Sequence, residues 1–149
     1  MGDLTITAAD VALVRGDENN IFPAPCAAAL AAGKLVQLNS SGNWAALDTT
    51  TGTGTTRNIG ILLRTTTFAG EAVTAATNGA IVDLGDALDA LAFGALLYAS
   101  ETAGGIDTAV SATSGAANIR IGKVVPGRAA VTADKLLEID IGEVAIVGA

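Results

Sequence analysis

The side chains best suited to bind a cation are three aspartates that recur at every third position. Asp83, Asp86 and Asp89 carry carboxylate oxygens, which calcium prefers as ligands. A calcium-binding loop, however, places its ligands two residues apart and ends in a bidentate glutamate, and this segment has neither feature. The spacing also suits the start of a helix, with Asp86 as the N-cap and Asp89 three residues later. Helix capping and a solvated acidic face are therefore favoured over a metal site.

Nucleophilic and cofactor chemistry finds no support in the sequence. The chain has no histidine, which removes Ser-His-Asp and Cys-His systems and the commonest transition-metal ligand. Cys26 is the single cysteine, and its alanine-rich surroundings predict a small buried thiol. The glycine-rich run at 52–60 lacks the Gly-Lys-Ser/Thr ending of a phosphate loop, and Arg57 stands where a dinucleotide fingerprint needs glycine. We expect no catalytic residue, no cofactor and no enzymatic activity.

The charge balance argues against nucleic acid as a partner. Fifteen acidic and eight basic residues give a net charge of −7, and the basic residues are spread along the chain. Nucleic-acid binding needs a basic stripe, usually with aromatic side chains that stack on bases. The first residues carry no signal segment, and no apolar run approaches the roughly 20 residues of a spanning helix. We therefore expect neither a cleavable secretion signal nor a membrane partner.

The spacing of apolar residues predicts a mostly β fold. Eighteen glycines and many Thr, Ser, Asn and Asp residues separate short apolar runs, as in strands joined by turns. We predict a small antiparallel β-barrel or β-sandwich with one short helix, from Asp86 to Gly94, and an extended N-terminal arm. The candidate strands are Leu4–Thr7, Val11–Arg15, Leu35–Leu38, Ile59–Leu63, Glu71–Ala75, Ala80–Leu84, Leu96–Ala99, Ile119–Val125 and Leu136–Ile141.

The length suits one domain preceded by an arm. Residues 1–26, rich in turn residues and ending near two prolines, are predicted to form an N-terminal arm and the first strands, and residues 27–149 a single β-rich domain. Ala27–Ala32 fits either helix or strand, because alanine favours helices while the flanking sequence favours strands and turns. Residues 49–56, TTTGTGTT, are predicted to form a mobile loop.

Two late segments have the clearest strand patterns. Leu137, Ile139 and Ile141 alternate with Glu138 and Asp140, which predicts a half-buried strand with an acidic outer face.

In the preceding strand the alternation fails after Gly122, which predicts a bulge or a close approach by another backbone.

The apolar half of the composition is dominated by alanine, and the aromatic residues are few. Each alanine buries little area, so a core of this kind stabilises a fold less than one built from leucine and phenylalanine. Association with further copies or with a large partner would supplement it. We therefore expect an oligomer.

Several short motifs follow one another along the chain. The first is the opening Asp3-Leu4-Thr5-Ile6-Thr7-Ala8-Ala9. The later motifs are Ala31-Ala32-Gly33-Lys34-Leu35-Val36-Gln37-Leu38, Gly42-Asn43-Trp44, Ile59-Gly60-Ile61, Ala69-Gly70-Glu71-Ala72-Val73, Gly79-Ala80-Ile81, Leu97-Tyr98-Ala99-Ser100-Glu101-Thr102-Ala103-Gly104-Gly105-Ile106 and Ile121-Gly122-Lys123-Val124. In this order they resemble the capsid decoration (cement) proteins of tailed bacteriophages. The resemblance covers most of the chain, and its specificity lies in the order of the motifs.

The resemblance implies a structural virion protein on the outer capsid surface, made in the host cytoplasm. Such a protein binds the major capsid protein at capsomer junctions, commonly as a homotrimer, and stabilises the shell against internal DNA pressure. Leu4, Thr5, Ile6 and Thr7 are the candidate capsid-contact residues, because their alternation would let the arm add a strand to a sheet edge of a neighbour.

A β-sandwich recognition module, such as an adhesin or a carbohydrate-binding domain, is the alternative. It would also be β-rich, acidic and free of histidine. Sugar sites usually present exposed aromatic rings, and Trp44 and Tyr98 are the candidate stacking platforms, although both fit equally well as core or strand residues.

Overall fold

The computed structural model describes residues 2–50, 58–127 and 135–146, with side chains described as far as Gly142. Eleven strands and two 3-10 helices make up the regular structure of these ranges, so the predicted mostly β fold is confirmed. The strands are β1 (Val11–Arg15), β2 (Ile21–Pro25), β3 (Leu35–Leu38), β4 (Trp44–Ala46), β5 (Ile59–Leu62), β6 (Ala72–Ala76), β7 (Ile81–Leu84), β8 (Leu96–Ala99), β9 (Ile106–Asp107), β10 (Ala117–Pro126) and β11 (Lys135–Ile146). The 3-10 helices are η1 (Ala8–Asp10) and η2 (Gly85–Leu88).

The strands form two antiparallel sheets around one main core. The first sheet has the order β1-β7-β11-β10-β8-β9 and the second has the order β2-β6-β5-β3-β4. Buried side chains of both sheets fill the space between them, among them Leu35 and Ile61 from the second sheet and Ile119 and Leu137 from the first. The arrangement fits a β-sandwich and not a closed barrel, so the sandwich is the correct one of the two predicted architectures.

The five-stranded sheet is buried on both faces. Ile61 points into the main core, while the next residue, Leu62, belongs to a second cluster on the other face. The buried members of that cluster are Ala24, Cys26, Val36, Trp44, Leu62, Val73 and Ala75. The sheet curls over them, because a parallel bridge between Cys26 and Trp44 joins the end of β2 to β4 at the opposite edge. The predicted burial of the Cys26 thiol is confirmed.

The hairpin of β10 and β11 is bulged at Gly122. The register of β10 with both of its neighbours shifts immediately before this residue. A Cβ on Gly122 would collide with the backbone carbonyl of Glu138. The predicted bulge and the predicted backbone approach are therefore both confirmed. Leu137 and Ile139 are buried and Asp140 is exposed, as the alternation predicts.

The predicted helix exists only as the single turn η2, and its predicted continuation to Gly94 is wrong. The segment after η2 bonds to other elements. The N–H of Gly94 donates to the carbonyl of Val124 at 2.8 Å, and the ammonium of Lys135 donates to the carbonyls of Asp89 and Leu91. These tertiary partners replace the bonds that a continuing helix would need.

Three predicted strands match observed ones at both ends, namely β1, β3 and β8. The predicted strand Leu4–Thr7 is wrong, because no ladder forms there: the nearby bridge involves Asp3, and Leu4 makes a single backbone bond, to Ile106. Ala27–Ala32 is neither helix nor strand. In the predicted loop, Thr49 is fully buried, and residues 51–56 lie outside the described residues.

Strands β2, β4 and β9 are additional to the predicted ones. β2 tolerates Pro23 and Pro25 because it lies at the edge of its sheet, where a missing N–H breaks no ladder. β4 and β9 have three and two residues, which is too short for an alternating pattern. Neither 3-10 turn is long enough to cross a membrane, and the described chain has no other helix.

Candidate interaction surfaces

The N-terminal arm, residues 2–7, lies along the edge of β9 in the chain's own six-stranded sheet. Asp3 forms an antiparallel bridge with Asp107. The N–H of Leu4 donates to the carbonyl of Ile106 at 2.8 Å. The arm therefore covers backbone groups that a two-residue edge strand would otherwise expose.

The four residues predicted to contact a capsid alternate between the core and solvent. Leu4 and Ile6 are half-buried against the main core, while Thr5 and Thr7 are exposed. Gly33 makes room for this packing, since its φ is +89° and a Cβ on it would lie 2.7 Å from Cγ2 of Ile6. The structure thus brings the two apolar members into the protein's own core and leaves the threonines as the outer surface of the arm.

Two carboxylates fasten the arm and the β9 turn. One Asp3 oxygen accepts a hydrogen bond from the Ser100 hydroxyl at 2.5 Å. One Asp107 oxygen accepts the N–H groups of Gly2 and Ala109, each at 3.0 Å. Both carboxylates therefore have local structural partners.

The three aspartates spaced for cation binding do not assemble a site. Asp83 accepts the N–H of Gly85 at 2.8 Å, at the start of η2. No three acidic or cysteine side chains are grouped to hold a metal ion within the ranges that the structure describes. A polar cleft of about 470 Å³ beside β1 and β11 is lined by Arg15, Asp17, Asn20, Gly16, Gly79, Ile81 and Glu138, a set without cysteine. The ionisable side chains of this lining are those of Arg15, Asp17 and Glu138.

A second surface follows β2 and carries no charge. We call it the neutral face and define it by its exposed apolar residues, which are Phe22, Pro23, Pro25, Ala27, Ala28, Ala29, Phe68 and Ala69. Residues 19–33 and 65–70 contain no charged side chain. Phe68 is 60% exposed and Phe22 is 45% exposed. Exposed aromatic rings on an uncharged surface are typical of protein–protein contacts.

The loop that presents Phe68 is held by backbone bonds on both sides. The Cys26 thiol donates to the carbonyl of Phe68 at 3.1 Å, and the N–H of Gly70 donates to the carbonyl of Cys26 at 2.8 Å. The N–H of Thr66 donates to the carbonyl of Leu30, also at 2.8 Å. The exposed ring therefore stands on a fixed backbone.

An ion pair closes the base of the same loop. Arg64 and Glu71 approach to 2.5 Å, and the N–H of Thr67 donates to the other Glu71 oxygen at 2.9 Å. The N–H of Thr67 and the guanidinium of Arg64 together lower the pKa of Glu71 from its usual 4.5 to about 2. The pair is thus fully charged at neutral pH and contributes no net charge beside the neutral face.

Neither of the two candidate stacking platforms for sugars presents a fully exposed ring. Trp44 is fully buried, its indole N–H donates to the carbonyl of Phe22 at 3.2 Å, and the two rings meet edge to face at 6.0 Å. Tyr98 is half-buried on β8. The exposed aromatic rings are Phe22, Phe68 and Phe93, and the sequence analysis singled out none of them. The uncharged stretch around β2 is a signal that could have found Phe22.

Comparison with known proteins gave no relative: no family model matches the chain, and no curated protein and no solved structure is significantly similar to it.

Proposed function

We propose that this protein is a capsid decoration protein that binds the outer surface of a tailed-phage shell at capsomer junctions and stabilises it against internal DNA pressure. The observation that carries the proposal is the neutral face, a fixed apolar surface with two exposed phenylalanines. A protein whose work is to adhere to others needs such surfaces and no active site.

The positions of the resemblance motifs support the same proposal. Leu35–Leu38, Gly42-Asn43-Trp44 and Ile59-Gly60-Ile61 fall on β3, the β3–β4 hairpin and β5, which are neighbours in one sheet. Trp44 and the strand residues form the buried clusters of that sheet. These motifs therefore lie on neighbouring strands and include residues of the buried core.

Multivalent binding would allow individually weak contacts to hold such a protein on the shell. In a homotrimer, engagement of one subunit raises the effective concentration of the other two at their sites. Release then requires the loss of all contacts together. A net charge of −7 is compatible with an outer face that lies away from the packaged DNA.

Co-sedimentation with purified tail-less heads tests the proposal. The protein is mixed with expanded heads and, separately, with unexpanded shells, and bound protein is measured against total protein. Saturable, stoichiometric binding to expanded heads supports the decoration role. Absence of binding to both forms overturns it.

The N-terminal arm can be tested as the capsid contact in the same assay. Deletion of residues 2–7 removes Thr5 and Thr7, which face outward, together with Leu4 and Ile6, which are packed inside. The double variant Thr5→Ala with Thr7→Ala removes only the outward hydroxyls and serves as the matched variant. If the arm contacts the shell, the deletion weakens binding; unchanged binding of the deletion variant rejects the arm as a contact.

The exposed ring of Phe68 is the one observation that favours the recognition-module alternative. The hydroxyl of the adjacent Thr67 donates to Glu71 at 3.0 Å, and Arg64 and Glu71 are paired with each other, so these polar side chains already have partners within the protein. A glycan array with wild type and Phe68→Ala separates the two functions. Glycan binding that depends on Phe68 would favour the module.

A further inference from the structure

We propose that Asn78 and Gly79 form a site of spontaneous covalent modification, at which Asn78 loses ammonia and becomes isoaspartate or aspartate when β11 separates from it. Asn78 is the one asparagine of the sequence that precedes a glycine. Both residues are exposed in the turn between β6 and β7. The inference goes beyond the proposed function and does not depend on it.

The reaction joins the backbone nitrogen of Gly79 to the side-chain carbon of Asn78. The N–H of Gly79 gives its proton to water or hydroxide, and the nitrogen forms a bond with Cγ of Asn78. The Cγ–Nδ2 bond then breaks, and Nδ2 takes up a proton and leaves as ammonia. One water molecule opens the resulting five-membered imide on either side of its nitrogen, which gives aspartate or isoaspartate. Glycine favours this attack, because no Cβ shields its nitrogen.

In the folded protein, β11 engages both of the reacting groups. The N–H of Gly79 donates to the carbonyl of Ile139 at 2.9 Å, and Oδ1 of Asn78 accepts the N–H of Ile141 at 2.6 Å. Attack requires the first bond to break, because the nitrogen must lose that proton. The second bond restricts the rotation that brings Cγ to the nitrogen. The site is therefore protected while β11 is in place and reacts when β11 opens.

The modification makes an opening of β11 permanent. Isoaspartate carries the main chain through its β-carbon, which lengthens the backbone of the β6–β7 turn. This turn is closed by the N–H of Ala80, which donates to the carbonyl of Thr77 at 3.1 Å, and the N–H of Ile139 donates to the carbonyl of Ala80 at 2.9 Å. A longer backbone cannot keep this spacing, and a new carboxylate adds negative charge to a chain of net charge −7. Each rearranged molecule therefore binds its own β11 less tightly.

Isoaspartate analysis of the full chain tests the inference. Folded wild type and a free peptide of residues 74–83 are kept in the same mildly alkaline buffer, and the modified fraction at Asn78 is followed by peptide mapping and mass spectrometry. The peptide is the unprotected reference. Exchange of the Gly79 amide with deuterium is measured in parallel, since it requires release of the same N–H.

Two variants test the hydrogen bond from Ile141. Ile141→Pro removes the N–H that holds Asn78, and the matched control Ile141→Ala shortens the same side chain but keeps that N–H. Far-ultraviolet circular dichroism and the emission of Trp44 establish whether each variant is folded. If Ile141→Pro does not fold, wild type in urea below the unfolding transition replaces it, because urea favours the opening of β11 without a substitution.

Asn78 should react at least about 10-fold more slowly in folded wild type than in the peptide, by the same factor as the hydrogen-exchange protection of the Gly79 amide. Ile141→Pro, or wild type in urea, should react faster than folded wild type, and Ile141→Ala should react like it. A folded wild type that reacts as fast as the peptide, or a peptide that does not react, overturns the inference. So does a folded Ile141→Pro that reacts no faster than Ile141→Ala, or a rate in wild type that urea does not raise.

Discussion

Glu71 makes the stability of the Phe68 loop depend on pH. Its folded-state pKa of about 2 lies below the usual 4.5, so the ionised carboxylate stabilises the folded state above about pH 4.5. This contribution is lost as the pH falls from about 4.5 towards 2. We predict that Glu71→Gln destabilises the protein at neutral pH and that the difference from wild type shrinks through this window. Urea unfolding at a series of pH values measures it.

Glu18→Gln is the matched control for Glu71→Gln. It removes one carboxylate from an exposed turn and so changes the net charge equally. If the free energy of unfolding of Glu71→Gln differed from that of wild type by the same amount at neutral and acid pH, this would contradict the proposed role of the Arg64–Glu71 pair.

Substitutions of Gly33 and Gly42 distinguish the cost of backbone strain from the cost of disturbing the packing of the arm. Both have positive φ, +89° and +80°, but a Cβ on Gly33 would strike Ile6, whereas nothing lies within 4 Å of a Cβ on Gly42. We predict that Gly42→Ala lowers the free energy of unfolding by about 1 kcal/mol, the penalty of a left-handed backbone alone. Gly33→Ala adds overpacking and should lower it by a further 1–3 kcal/mol or so.

Hydrogen exchange distinguishes these two glycine variants more directly. The amide of Leu4 is bonded to Ile106, so it is protected while the arm is docked. Protection of this amide should fall in Gly33→Ala and persist in Gly42→Ala. Equal protection in both variants would mean that the arm does not depend on Gly33.

At the scale of elements, the β10–β11 hairpin depends on its bulge. A side chain at position 122 would displace the carbonyl of Glu138 and with it the pairing of the two longest strands. We predict that Gly122→Ala destabilises the protein by about 3 kcal/mol, the upper part of the range for overpacking. Gly2→Ala, where nothing lies within 4 Å of the new Cβ, should change stability little. Chemical denaturation of both variants measures the difference.

Sequence patterns predicted the elements whose structure is set locally. The alternation of β11 and the break at Gly122 are properties of a few adjacent residues, and both were read correctly. The prediction of a helix as far as Gly94 was wrong because the ammonium of Lys135, far along the chain, donates hydrogen bonds to the carbonyls of Asp89 and Leu91. β2 was not predicted, because its two prolines argue against a strand in the middle of a sheet. Its position at the edge, where prolines are tolerated, follows only from the order of the whole sheet.

The candidate surfaces were harder to predict than the fold. The sequence pointed to Leu4 and Ile6 as an outward arm, but docking against β9 depends on a distant strand of two residues. Exposure of Phe68 likewise depends on how its loop is tied to Cys26. Composition alone gave no way to tell an exposed phenylalanine from a buried tryptophan.

At the scale of the whole molecule, the two buried clusters share one sheet and should unfold together. Ile61 and Leu62 are adjacent residues of β5 that belong to different clusters, so loss of one cluster exposes the other. We predict a single transition in which Trp44 fluorescence and far-ultraviolet circular dichroism coincide. Emission should be blue-shifted before the transition, because Trp44 is fully buried. Two separated transitions would show that the curled sheet is an independent unit.

The bridge between the arm and β9 also bears on the order in which parts of the chain fold. Gly2 and Asp107 are hydrogen-bonded although they stand 105 positions apart, so the arm finds its partner only after Asp107 has been synthesised. Closing so long a loop is slow compared with forming the hairpins, and it yields few bonds. We therefore expect the arm to dock late in folding, and the edge of β9 is bare in each newly made molecule until it does.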